Sequence, residues 1–234
     1  REREALVAIY ESLGGDNWYN NKNWCSDMPV SEWYGIYTDD KGYVSSIQLE
    51  GNNISGYLSP EIGVLKYLNS LNLSNNSTPL ESVPEELALC RNLFTLKLEG
   101  VVKLPDVVFS MSQLTELSLK LTEVDYPGNK MPSMCQLTNL GDLSLIADGL
   151  EIPESIGNMV ELYNLNLCGF TGAIPSSIGN LDKLQSLSIH SGTLTGGIPP
   201  SIGNISGLRQ LHLNDNGLTG NIPEEICQLP ALIS

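Results

Sequence analysis

Two histidines, His190 and His212, are the residues best suited to do chemistry. His190 follows the segment SLSI, and His212 lies inside LHL on the next such segment. Ser188 and Asp215 fall in the same frame. Imidazoles beside a carboxylate and a hydroxyl are the ingredients of an acid–base pair or of a small metal site. Two solvated histidines on a polar sheet account for the same pattern, and their joint protonation below about pH 6.5 would modulate binding. Nothing else in the chain carries catalysis. There is no GxSxG, no HExxH, no glycine-rich phosphate loop before a helix and no EF-hand spacing. The reading is non-enzymatic, with no cofactor expected.

The other reactive groups are five cysteines, Cys25, Cys90, Cys135, Cys168 and Cys227. They are odd in number and dispersed, so they make no disulfide framework, and no CxxC or Cys/His spacing suggests zinc. They read as buried free thiols, with one disulfide among them as the alternative. The three tryptophans, Trp18, Trp24 and Trp33, crowd into the first 33 residues. They read as a plug over the end of a larger core, with a carbohydrate-stacking site as the functional alternative.

Charge narrows the partners. The chain has 27 acidic and 12 basic side chains, a net charge of −15 and a pI of about 4.3. Such a chain repels phosphate backbones and anionic lipid, so nucleic-acid and membrane-surface binding are disfavoured. No apolar run approaches the roughly 18 residues of a membrane helix. No apolar export segment opens the sequence either, since REREALVAIY reads as the start of a helix.

The elements that position these groups repeat. The pattern L-x-x-L-x-L returns as VSSIQL (44–49), LNSLNL (68–73), LFTLKL (93–98), LTELSL (114–119), LGDLSL (140–145), LYNLNL (162–167), LQSLSI (184–189) and LRQLHL (208–213). The spacings lie between 21 and 26 residues, and Leu232 starts a ninth copy. Each L-x-L predicts a short strand with leucines inward and their neighbours outward. The fuller copies read LRQLHLNDNGLTGNIPEEICQLPA and LQSLSIHSGTLTGGIPPSIGNISG. An Ile-Pro step fixes an extended return, and I-G-x-L predicts a short helical turn. The asparagine after the strand predicts a hydrogen-bonded ladder. That column holds Asn52, Asn76, Val101, Thr122, Asp148, Phe170, Gly192 and Asn216, so the ladder is expected only near the ends.

The pattern L-x-x-L-x-L-x-x-N-x-L-x-G-x-I-P-x-x-I-G-x-L resembles the plant-type leucine-rich repeat of receptor-kinase ectodomains, polygalacturonase inhibitors and some exported bacterial proteins. The resemblance covers residues 44–234. It implies an α/β right-handed solenoid with a concave parallel sheet and a convex side of extended, 3-10 and short helical segments. Residues 1–43 are expected as a tryptophan-rich helical cap, with Leu6, Val7, Ile9, Tyr10 and Leu13 on one helical face and Gly14-Gly15 as its stop. SEWYGIYTDD is similar to the plant cap motif C-x-W-x-G-V-x-C through Trp33, Gly35 and Ile36. Ser31 and Thr38 occupy its two cysteine positions, which favours the bacterial, surface-displayed or secreted members. Five N-x-S/T sequons (Asn53, Asn72, Asn75, Asn76, Asn204) lend only slight support to a glycosylated protein.

A concave sheet is the default binding surface of a solenoid. Its outward positions select a candidate patch for an unidentified protein or glycan ligand: Phe94, Lys97, Glu99, Glu116, Lys120, Tyr163, Asn164, Asn166, His190, Arg209 and His212. Exposed aromatics among amides and hydroxyls are the composition of a recognition surface. Copies three to five (93–161) depart most from the pattern, and the fourth carries the insertion EVDYPGNKMP (123–132). The reading is an extracytoplasmic binding module. A plant-type receptor ectodomain or enzyme inhibitor, a spacer, and an enzyme built on His190 and His212 are the alternatives.

Overall fold

The computed structural model describes residues 1–121 and 131–234. They form two compact units, Arg1–Leu114 with Ser118–Lys120, and Thr115–Leu117 with Leu121–Ser234.

The first unit opens on α1 (Glu2–Ser12). Its apolar spacing turns Ala5, Leu6 and Ile9 inward, with Leu13 buried behind them. The helix stops just before Gly14-Gly15. Trp18, Trp24 and Trp33 are 6%, 7% and 2% exposed. Trp18 meets Trp24 edge-on at 5.0 Å, Trp24 meets Trp33 at 5.2 Å, and Tyr10 packs on both Trp18 and Trp24. Every indole N–H is satisfied inside the protein: Trp18 donates to Leu13 O, Trp24 to Tyr34 O and Trp33 to Met28 O. Arg3 closes the cluster, its guanidinium 5.1 Å from the Trp33 ring and donating to the Ser26 and Met28 carbonyls. Rings so buried and so satisfied are part of the core, and no indole face is left for a sugar.

A hairpin joins this cluster to the repeats. β1 (Ile36–Thr38) pairs antiparallel with β2 (Val44–Gln48), and Asp39 Oδ1 turns the chain by accepting from Lys41 N and Tyr43 N. Three residues with one buried position are too few to show alternation, so this strand escaped the sequence reading. Parallel pairing then runs from β2 to β3 (Ser70–Leu73) and from β3 to β5 (Thr95–Lys103). A further short strand, β4 (Leu80–Ser82), pairs with the far end of β5. β6 (Glu116–Leu121) buries Leu117, Leu119 and Leu121.

The second unit begins its helices with α2 (Met131–Met134). Its strands are β7 (Asp142–Ile146), β8 (Asn164–Cys168), β9 (Thr171–Gly172), β10 (Ser186–His190), β11 (Thr193–Leu194) and β12 (Gln210–His212). β7, β8, β10 and β12 pair in parallel without a shift, leucine on leucine, while β9 and β11 form a second small ladder. The returns are five-residue 3-10 turns, as at Glu154–Asn158, Ser176–Asn180 and Pro200–Asn204. Turns of the same kind at Glu85–Leu89 and Asp106–Ser110 form without the expected glycine. α3 (Glu224–Cys227) ends the series. Of the insertion at 123–132, all but Met131 and Pro132 lies outside the described residues, as does Thr122.

The asparagine ladder stands where it is expected. Asn76 Nδ2 donates to the carbonyls of Leu49, Leu73 and Ser74, and its Oδ1 accepts from Asn52 N and Ile54 N. Asn52 extends the ladder into the cap by exchanging bonds with the Asn20 backbone. Asn216 Nδ2 donates to the Ile189, Leu213 and Asn214 carbonyls. Between these ends Val101 and Phe170 fill the column and are fully buried, while Asp148 is exposed. At Gly192 the backbones approach so closely that a Cβ would meet Phe170 O at 2.2 Å. Asn216 Oδ1 in turn has no partner among the described residues.

The cysteines correct one expectation. All five are free, but only Cys90 and Cys135 are buried; Cys25 and Cys227 are exposed and Cys168 is half-buried. Burial pushes the Cys90 thiol up to about 11, and its Sγ donates to Ile62 O.

Two outcomes follow. Asn76→Ala strands the Asn52 and Ile54 N–H groups and three carbonyls, so chemical denaturation should show a loss of about 2–4 kcal/mol. Thiolate is the species that alkylates. Timed iodoacetamide labelling at about pH 8, read by mass spectrometry, should modify Cys227 and Cys25 first. Cys90 and Cys135 should react only once denaturant opens the core.

Candidate functional site

The strands supply outward positions in columns. In the second unit the first column is Gly141, Tyr163, Gln185 and Arg209, just ahead of β7, β8, β10 and β12. Each N–H along it donates to the carbonyl one repeat back: Tyr163 to Gly141, Gln185 to Tyr163 and Arg209 to Gln185, all at 2.8 Å. Backbone pairing therefore fixes these side chains at strand spacing, about 4.8 Å apart. The Tyr163 ring lies across Gly141, where a Cβ would come within 2.5 Å of it, and still leaves the residue 49% exposed.

Around this column lies an open depression of about 520 Å³, lined by Glu161, Tyr163, Asp182, Lys183, Gln185, Gly207 and Arg209. Lys183 Nζ bridges to both Glu161 oxygens at 2.8 and 2.7 Å. Among the described residues the exposed Arg209 guanidinium makes no hydrogen bond or ion pair. A planar donor, an amide and an aromatic face thus stand side by side. Such a group can hold an extended peptide by carbonyl or carboxylate bonds and ring contact. Asp182, Lys183 and Glu161 were missed because they precede the strands, where polar residues read as ordinary turn.

The remaining candidates are dispersed. Asn164 and Asn166 are occupied along the sheet, donating to Asp142 Oδ1 and Ser144 Oγ. His190 stands beside Cys168 in the register, and Ser188, not His190, stands beside His212. His190 Nδ1 lies 3.0 Å from Ser191 Oγ, and Asp215 accepts from Asn214 Nδ2 at 2.6 Å. The register so sets the histidines diagonally rather than side by side, and no group of three or more metal-ligating side chains occurs among the described residues.

In the first unit Phe94 is 44% exposed, Lys97 and Glu99 are half-buried on β5, and Lys120 is exposed on β6. Glu99 Oε2 accepts from Asn75 N. Glu116 belongs to the second unit. Asn72 and Ser74 are only 7% exposed and bonded to each other, with Asn72 also donating to Glu50. Two of the sequons, at Asn72 and Asn76, are therefore committed to the scaffold.

Residues 207–229 match the Leucine Rich Repeat family. A leucine-rich repeat receptor-like serine/threonine-protein kinase of Arabidopsis thaliana is 42% identical over 69 residues, which is 29% of this chain and 6% of that protein. The Arabidopsis receptor kinase HAESA, solved with the peptide hormone IDA and the co-receptor SERK1, superposes with a TM-score of 0.75 at 25% identity. That match covers 99% of this chain and 44% of the other. The fold is a leucine-rich repeat solenoid.

Its repeats are of the plant type in sequence, and the chain spans under half the length of the first solved relative. An internalin of Listeria monocytogenes shares the fold at a TM-score of 0.62, with 21% identity over 76% of this chain and 50% of that one. Among the described residues no helix is long and apolar enough to cross a membrane.

The Lys183–Glu161 bridge of this solenoid is solvent-exposed on both sides. Exposed pairs contribute at most about 1 kcal/mol. Lys183→Ala should therefore shift the thermal midpoint by no more than about 2–4 °C by calorimetry, leaving Glu161 available to a ligand.

Proposed function

We propose that the protein is a non-catalytic recognition module that works outside the cytoplasm and holds a peptide segment of a protein partner. The observation that carries this reading is the open depression around Tyr163, Gln185 and Arg209. It joins an exposed ring to an unpaired guanidinium on a rigid strand column, and aromatics with arginine are the residues that anchor protein interfaces. Phe94, Lys97, His190 and His212 are accessory positions, tuning contact on either unit. The peptide hormone bound by the HAESA ectodomain is consistent with a peptide as ligand. A glycan has less support, because the three indoles best able to stack on sugars are buried and satisfied.

Two settings fit such a module. Plant-type repeats favour a receptor ectodomain or an inhibitor of an enzyme. Ser31 and Thr38, in place of the cap cysteines, favour secretion or display by a bacterium.

Panning a phage-displayed library of random peptides on the protein tests the reading. Calorimetry on the selected peptides should show affinity falling at least about tenfold in Tyr163→Ala/Arg209→Ala, with the thermal midpoint unchanged. Selected peptides indifferent to both substitutions would reject the site.

A further inference from the structure

A second surface lies on the first unit, at the turns that lead into β3 and β5. Lys66 and Arg91 occupy equivalent positions, two residues before the first leucine of consecutive repeats. Tyr67 and Asn92 follow them directly, and Tyr43 holds the same place one repeat earlier. Tyr43 and Tyr67 stack with centroids 4.3 Å apart and planes 24° from parallel, yet stay 40% and 44% exposed. Asn92 Nδ2 donates to Lys66 O and ties the two turns together. Lys66, Tyr67, Leu89, Arg91 and Asn92 line a depression of about 410 Å³, with Leu89 46% exposed at its edge.

The charges here are unusual for this chain. Acidic groups outnumber basic ones by 27 to 12, so a lysine or arginine has a wide choice of partners. Among the described residues neither Lys66 nor Arg91 forms an ion pair. Glu61 and Glu86 line the adjoining depression with Lys66 and leave it unpaired. Two free cations one repeat apart, beside a stacked aromatic pair and an exposed leucine, make an amphipathic anion site. The Asn92 bond fixes the turns and the ring stack fixes the tyrosines beside them.

We propose that this surface docks an acidic peptide segment carrying an aromatic residue, independently of the Tyr163 site. Long polyanions are repelled by the overall charge, whereas a short segment meets only the local field. Acidic side chains at alternate positions of an extended segment, about 7 Å apart, can reach both cations. The ring then packs on Tyr67 and Leu89, in the depression that Arg91 and Asn92 also line.

The test uses the whole chain carrying Tyr163→Ala/Arg209→Ala, so that the first site does not contribute. Random phage-displayed peptides are panned on it, and the pool is measured against the same chain with Lys66→Glu/Arg91→Glu added. The pool should be rich in Asp and Glu with Trp, Tyr or Phe. Affinity should fall more than about tenfold on charge reversal, weaken as salt rises, and fall partly with Tyr67→Ser. All five substituted side chains are exposed, and unchanged near-ultraviolet dichroism checks the fold. A neutral or basic pool, no enrichment, or binding indifferent to charge reversal would overturn the proposal. So would retention on heparin with no acidic peptide in the pool, which would assign the surface to an anionic glycan.

Discussion

Burial of a leucine at every second strand position is the constraint on which the molecule rests. Leu71, Leu96, Leu143, Leu165 and Leu187 are at most 1% exposed, and strand pairing sets them leucine on leucine. Truncating one such side chain typically costs about 2–5 kcal/mol, whereas exposed substitutions cost about 0.5 kcal/mol or less. The alternation that fixes the core therefore frees the residues between. Function has only those intervening positions, and the turns that flank them, to occupy.

The same constraint explains how the scaffold survives its own irregularity. An asparagine after the strand satisfies backbone groups that turn away from the ladder, as Asn76 does with five bonds. Phe170 and Val101 solve the column differently, by apolar filling. Gly192 solves it by letting the backbones close up. These solutions do not mix freely: asparagine's carboxamide needs donors facing it, and next to the closed turn at Gly192 the Asn216 Oδ1 goes unpaired.

Most of this was legible in the residues because it is periodic. The strands of the L-x-x-L-x-L segments, the 3-10 returns, the cap helix and the buried tryptophans all follow from patterns that repeat or cluster. What escaped was short or off the period. β1, β4, β9 and β11 have two or three residues each, too few to alternate. Cys25 and Cys227 lie in the cap and in α3, away from the leucine frame, and a general preference of thiols for burial misplaced them. At the site, Tyr163 and Arg209 were legible as members of one column. Lys183, Glu161 and the Lys66–Arg91 pair were not, since polar residues before a strand look like any turn. The histidines were legible as neighbours on adjacent strands, but register, which composition does not reveal, sets His212 beside Ser188.

Where the polar groups spend their bonds decides which surfaces remain able to bind. In the first unit the strand face is largely self-satisfied. Gln48 bonds Ser46 and Ser70, Glu50 accepts from Asn72 and Asn75, and Glu99 accepts from Asn75 N. A ligand there would have to replace protein–protein bonds with its own, which yields little net free energy. The rim is different, because Lys66 and Arg91 have no internal partners to give up. In the second unit the middle columns are again partly spent, through Asn164 and Asn166, while Arg209 is not. In both units the binding capacity thus shifts from the centre of the strands to their leading edge. There the backbone fixes each position, and Lys66, Arg91 and Arg209 keep their charged groups without an ion pair among the described residues.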